Sequence, residues 1–203
     1  MAGSLGLSAA REPAGPAALN APLFRGLMEG MEDDARRVVL DLGPARPETV
    51  ATLGRFRCRL EIADLAEGID LLGTTADPEE LRERIASLLP PRRDEATDIV
   101  LCWDLLNYLE RPALKALMKD ILMRLRPGSQ VHALIAYSTP NMSAMPERFV
   151  PTGDYALLHH PVTADMRKAP RYSPDDLSRN MPGYAVERAM LLKNGMQEFL
   201  FRH

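Results

Sequence analysis

The sequence is short of several things that would each announce a function. It holds two cysteines in 203 residues, Cys58 and Cys102, too few for a disulfide framework, and no Cys/His pair at the spacing of a zinc site. Both thiols fall in strand-like apolar runs, where they pack as small reduced core residues. No apolar run approaches the roughly 18 to 20 residues that cross a bilayer, and no charged start leads into an apolar signal segment. Basic residues do not outnumber acidic ones: 25 Lys and Arg against 28 Asp and Glu leave a formal charge of -3, so the electrostatic footprint of a nucleic-acid binder is missing. These absences predict a cytoplasmic protein with no membrane partner, no nucleic-acid partner and no metal centre. Tryptophan occurs once, so that ring is worth following individually.

What is present alternates between strand and helix signals. With 46% hydrophobic residues, a chain of this length has enough apolar surface for one sizeable core, and nothing divides it into two. Residues 1–20, rich in Ala, Gly, Ser and Pro, predict a mobile N-terminal tail. Residues 21–203 predict a single domain. After Pro22, Leu23, Phe24, Leu27, Met28 and Met31 recur at helical spacing. Val38, Val39 and Leu40 form a buried-strand run that ends at Asp41. Gly43 and Pro44 break it, Pro47 opens a short helix that closes at Gly54, and Phe56, Cys58, Leu60 and Ile62 alternate with Arg57, Arg59 and Glu61 up to Asp64. Two parallel strands joined by a crossover helix open a crevice at their carboxyl ends, and an acid ending the second strand is placed to accept hydrogen bonds from ribose hydroxyls.

The alternation continues. Asp77 caps a helix that has Pro78 in its first turn and Leu81, Ile85, Leu88 and Leu89 on its buried face. Before it, only 69–72 offers a further strand. Residues 99–102 are a second continuous apolar run, followed by Trp103, Asp104, Asn107 and Tyr108. A helix from Pro112 then carries a stripe from Leu114 to Leu125 and stops at Pro127 and Gly128. Residues 131–137 give another strand. Residues 138–171 hold five prolines and little periodicity, which predicts a long irregular insertion: a lid, or a surface for a protein partner or a second copy of the chain. Ser173 caps a short helix. Residues 186–193 and 196–202 form a hairpin about Asn194 and Gly195, the favoured pair of a type I′ turn. The fold class predicted is α/β: a Rossmann-like, doubly wound, mostly parallel sheet ending in an antiparallel hairpin.

In these residues and this order of elements, the sequence resembles the class I S-adenosylmethionine-dependent methyltransferases. That family runs strand, acid, Gly-x-Gly-x-Gly, then an acid one crossover later. Asp41 and Gly43 match the first acid and first glycine, and Asp64 falls where the ribose-binding acid stands. Ala45 and Pro47 replace the other two glycines. Residues 98–128 and the terminal hairpin resemble the family as well. The resemblance implies S-adenosylmethionine as cofactor, bound by Asp41, Gly43, Ala45, Asp64 and Trp103. It also implies methyl transfer to a small-molecule or protein acceptor, with Asp104 taking a proton and Asn107 and Tyr108 orienting the acceptor.

Ala45 held at positive φ would cost about 1–2 kcal/mol, and one lost backbone hydrogen bond about 0.5–1.5 kcal/mol. Cofactor binding is then expected to be weakened roughly ten- to a few-hundredfold without being abolished. The methyl donor carries no phosphate, so the missing glycine pattern counts more heavily against a dinucleotide enzyme. The alternative reading is a catalytically silent protein of the same fold that binds a partner protein. His159 and His160, inside the insertion, are further candidates for a base or a metal ligand and otherwise read as surface residues.

Overall fold

The computed structural model describes residues 14–73 and 77–203. In chain order the elements are β1 Ala17–Leu19, α1 Pro22–Glu29, β2 Arg37–Asp41, α2 Pro47–Leu53, β3 Cys58–Ile62, α3 Ile69–Gly73, α4 Pro78–Leu88, β4 Thr97–Leu101, α5 Arg111–Leu122, β5 Leu125–Ala136, β6 Asn141–Ser143, β7 Arg148–Pro151, β8 Leu157–His160, β9 Met166–Lys168, α6 Pro174–Asn180, β10 Ala185–Leu191 and β11 Met196–Arg202. Six strands form the central sheet in the order β10-β11-β5-β4-β2-β3. From β3 through β5 the pairing is parallel, and β11 and β10 complete the sheet antiparallel. The fold is a mostly parallel Rossmann-like sheet closed by a hairpin. Among the described residues no helix is long and apolar enough to cross a membrane.

Alternation along the strands divides the core. Leu40, Val100, Val131, Ala133 and Phe199 face the layer of α3, α4, α5 and α6, whereas Val39, Ile99, Leu101, Leu134 and Leu200 face α1 and part of the insertion. Strands covered on both faces have no need of polar alternation, which is why they read as continuous apolar runs. Helix α1 has no side-chain cap of its own at Ala21. Glu198 of β11 supplies it from the sheet: Leu23 N donates to Oε2 at 3.0 Å and Phe24 N to Oε1 at 2.8 Å, satisfying donors that a helix start leaves free.

Five expectations are corrected or bounded. Of the tail expected over 1–20, residues 1–13 lie outside the described residues, and Ala17–Leu19 is a strand that pairs with β8, Ala17 opposite His159. The strand candidate at 69–72 is helical, because Leu65, Ile69 and Leu72 recur at helical spacing and are all buried. Among the described residues the sheet therefore ends at β3. Helix α5 stops at Leu122, and Leu125 already pairs with Thr97. The insertion is ordered into short antiparallel ladders, β6 with β9 and β7 with β8, the latter joined by β1. Finally, the hairpin turn is not type I′. Gly195 N donates to Leu192 O, Leu192 N donates to Met196 O, and within the turn only Gly195, at φ +85°, is left-handed, which describes a type I turn followed by a glycine bulge.

Candidate functional site

At the carboxyl ends of β2, β3 and β4 lies a cavity of about 260 Å³. Asp41 lines it from the end of β2, Gly43 and Arg46 from the β2–α2 turn, Thr49 from α2, Asp64 and Glu67 from the segment after β3, Trp103 and Asp104 from the segment after β4, and residues 145–149 from the insertion. The β2–α2 turn is shaped by Asp41, which is 1% exposed and whose Oδ1 accepts from Gly43 N at 2.9 Å. The same oxygen accepts from Trp103 Nε1 at 2.6 Å. Burial pushes the Asp41 carboxyl up to about 6; the hydrogen bonds from Trp103 and Gly43 oppose the rise and the nearby Asp64 carboxylate adds to it.

Trp103 has φ +50°, a conformation that costs a bulky residue about 1–2 kcal/mol. It lays the indole against Gly43, where a Cβ would come within 2.8 Å of Cδ1 and Nε1. Gly43 is therefore required by the close approach of a side chain. One face of the indole meets Phe24 at 5.7 Å, and Phe149 of β7 stacks with it at 6.3 Å and 6°. Phe149 in turn stacks on His159 at 5.1 Å. The insertion is thus pinned to the crevice by a run of rings.

Asp64, also left-handed at φ +46°, keeps Oδ1 buried and, among the described residues, without a hydrogen-bond partner. Asp104 is 3% exposed. Its Oδ2 accepts from Glu147 N at 3.0 Å and lies 3.3 Å from the Tyr108 hydroxyl, while Oδ1 has no partner among the described residues. Burial pushes this carboxyl up to about 7, and the neighbouring Glu147 carboxylate adds to the rise while the Glu147 amide opposes it.

The structure brings Asp41, Gly43, Asp64, Trp103 and Asp104 together and leaves three expected site residues outside the cavity lining. Asn107 donates to the Asp104 and Leu134 carbonyls and accepts from Ala136 N, each at 2.8 Å, so its amide ties the post-β4 turn to β5 with both N–H protons committed. The Tyr108 hydroxyl donates its one proton to the nearest acceptor, Met145 O at 2.6 Å, and so holds the insertion down. Ala45 is exposed and is not left-handed; the strain expected there is not incurred, because the Asp41 side chain and Gly43 make the turn.

Several site residues had no sequence signal. Glu147 lines the cavity and is hydrogen-bonded to His159 Nε2, yet it sits in an aperiodic Pro-rich segment. Arg46 was hidden beside the helix-opening Pro47. His159 is a ring partner of Phe149 and a partner of Glu147, whereas no group of three or more His, Cys, Asp or Glu suited to a metal occurs among the described residues.

No protein-family model matches the sequence, and no curated protein matches it significantly. Solved structures do match its fold. An S-adenosylmethionine-dependent methyltransferase from Clostridium acetobutylicum superposes with a TM-score of 0.52 at 14% identity, over 90% of this chain and 92% of that one. The Burkholderia thailandensis 1,6-didemethyltoxoflavin-N1-methyltransferase, solved with 1,6-didemethyltoxoflavin and S-adenosylhomocysteine bound, gives 0.51 at 15% identity over 90% and 77%. The [4+2]-cyclase SpnF gives 0.50 at 13% over 89% and 80%. The chain has the class I S-adenosylmethionine-dependent methyltransferase fold. That a cyclase shares it means the chemistry must be argued from the cavity.

Proposed function

We propose that the protein binds S-adenosylmethionine at the carboxyl ends of β2, β3 and β4 and transfers its methyl group to an acceptor. The observation that carries this reading is Asp64: a carboxyl oxygen buried without a partner at the end of the second crossover strand is the acceptor that a ribose hydroxyl requires. When bound, the cofactor supplies an activated sulfonium methyl. Asp64 would hold its ribose, and Asp104, which lines the same cavity, would serve the acceptor. At about 260 Å³ the cavity falls just below the roughly 300–1,000 Å³ of ordinary ligand sites, so the Trp103 indole over Gly43 has to give up space.

A silent scaffold of the same fold is the competing reading, and Trp103 lying on Gly43 favours it. Two buried carboxyl oxygens without partners, on Asp64 and Asp104, weigh more in the other direction. Each costs about 1–3 kcal/mol or more until a donor meets it. Calorimetric titration with S-adenosylhomocysteine decides between the two. The expected dissociation constant is about 1 mM or tighter, weakened roughly tenfold in Asp64→Ala. No heat and no rise in melting temperature at high ligand concentration would leave the scaffold.

A further inference from the structure

We infer that the acceptor is an amine: a protonated primary or secondary amine carried on a flat apolar group, received by the free carboxyl oxygen of Asp104 beside the aromatic wall of Trp103 and Phe149. The purpose of this site rests on the methyl-donor reading above; its geometry does not.

Three observations point to a cation. Asp41, Asp64, Glu67, Asp104 and Glu147 line the cavity against only Arg46 and Arg148, an excess of acid inside a region of low dielectric. Asp104 is 3% exposed, and its orientation is fixed by the Glu147 amide, which donates to Oδ2 at 3.0 Å. That leaves Oδ1 as a single, buried, unpartnered acceptor among the described residues. A neutral hydroxyl would satisfy the hydrogen bond and leave the acid excess uncompensated. An ammonium satisfies both.

The proton balance is simple. With burial pushing it up to about 7, the Asp104 carboxylate takes one proton from the ammonium nitrogen. That gives a neutral carboxylic acid and a free amine whose lone pair is available. The titratable groups in contact with Asp104 are Tyr108 and Glu147, with His159 behind Glu147.

The probe pair is phenethylamine and its neutral isostere phenethyl alcohol, read by the emission of Trp103, the only tryptophan of the chain. We expect a saturable change with the amine, binding of the alcohol at least roughly tenfold weaker, and loss of that preference in Asp104→Asn. In the wild type, amine affinity should also rise between about pH 5 and about pH 8 as Asp104 ionises, a measurement that stands even if the variant does not fold. Saturating S-adenosylhomocysteine, followed by calorimetry, should leave the amine affinity within roughly threefold.

Equal binding of the alcohol, a preference that survives in folded Asp104→Asn, or a flat pH profile would overturn the inference. So would competition between the amine and S-adenosylhomocysteine, which would assign Asp104 to the ammonium group of the donor. Absence of calorimetric heat with S-adenosylhomocysteine counts against the donor reading alone, and the amine preference and its pH dependence still decide this one.

Discussion

Trp103 and Asp41, the residues that follow β4 and end β2, are joined by a hydrogen bond from the indole N–H to the carboxyl Oδ1 at 2.6 Å, directly over Gly43. This contact closes the glycine turn from inside the protein. It ties the acid and the ring to each other, although the family resemblance assigned both to the cofactor.

Replacing Trp103 by Phe keeps a ring against Phe24 and Phe149 and removes both the indole N–H and the bulk over Gly43. Affinity for S-adenosylhomocysteine should rise about three- to tenfold, the equivalent of one competing hydrogen bond. Stability should fall by about 1–3 kcal/mol from the lost packing. Calorimetry and thermal melts read the two effects separately. Weaker binding in Trp103→Phe would mean that the indole is a platform for the cofactor and not a cover.

Ala45→Gly should leave S-adenosylhomocysteine affinity unchanged within about twofold, since Ala45 is exposed and is not left-handed. Added backbone freedom in the unfolded chain should cost about 0.4–1 kcal/mol of stability. A clear gain in affinity would show that the turn rearranges on binding into the glycine-rich geometry of the family.

Glu198→Ala removes the acceptor of Leu23 N, Phe24 N and His132 Nε2 at once. The expected loss is on the order of 2–4 kcal/mol, a helix cap together with a buried charged hydrogen bond. Urea unfolding measures it, and amide exchange at Leu23 and Phe24 should accelerate first. A loss below about 0.5 kcal/mol, with unchanged exchange, would contradict the capping role.

Much of this was legible in the sequence wherever one physical rule dominates. Apolar runs buried on both faces marked β2 and β4, and the acids and rings that leave those strands, Asp41, Trp103 and Asp104, do line one cavity. What was not legible depends on partners distant in sequence. Asn107 looked free for an acceptor because the Leu134 carbonyl and Ala136 amide that consume it belong to β5. The cap of α1 comes from a residue 174 positions beyond Phe24, where no local capping rule applies. Glu147 and Phe149 reach the site because β7 pairs with β8, and that pairing carries no hydrophobic period to read.

The buried Asp104 carboxyl makes stability depend on pH in a direction that can be worked out. Folding raises it from 3.8 to about 7, so between those values the folded state binds the extra proton. The contribution is fully present below about pH 4 and is lost as pH rises through about 7. Asp104→Asn cannot ionise and escapes that loss. The melting temperature of Asp104→Asn relative to the wild type should therefore climb between about pH 5 and about pH 8, by an amount reflecting a few kcal/mol at most. Titrating groups that do not interact with Asp104 cancel in the difference. A constant offset across that range would mean that Asp104 ionises in the folded protein as it does in the unfolded chain, and its poise for taking a proton from an amine near neutral pH would be lost with it.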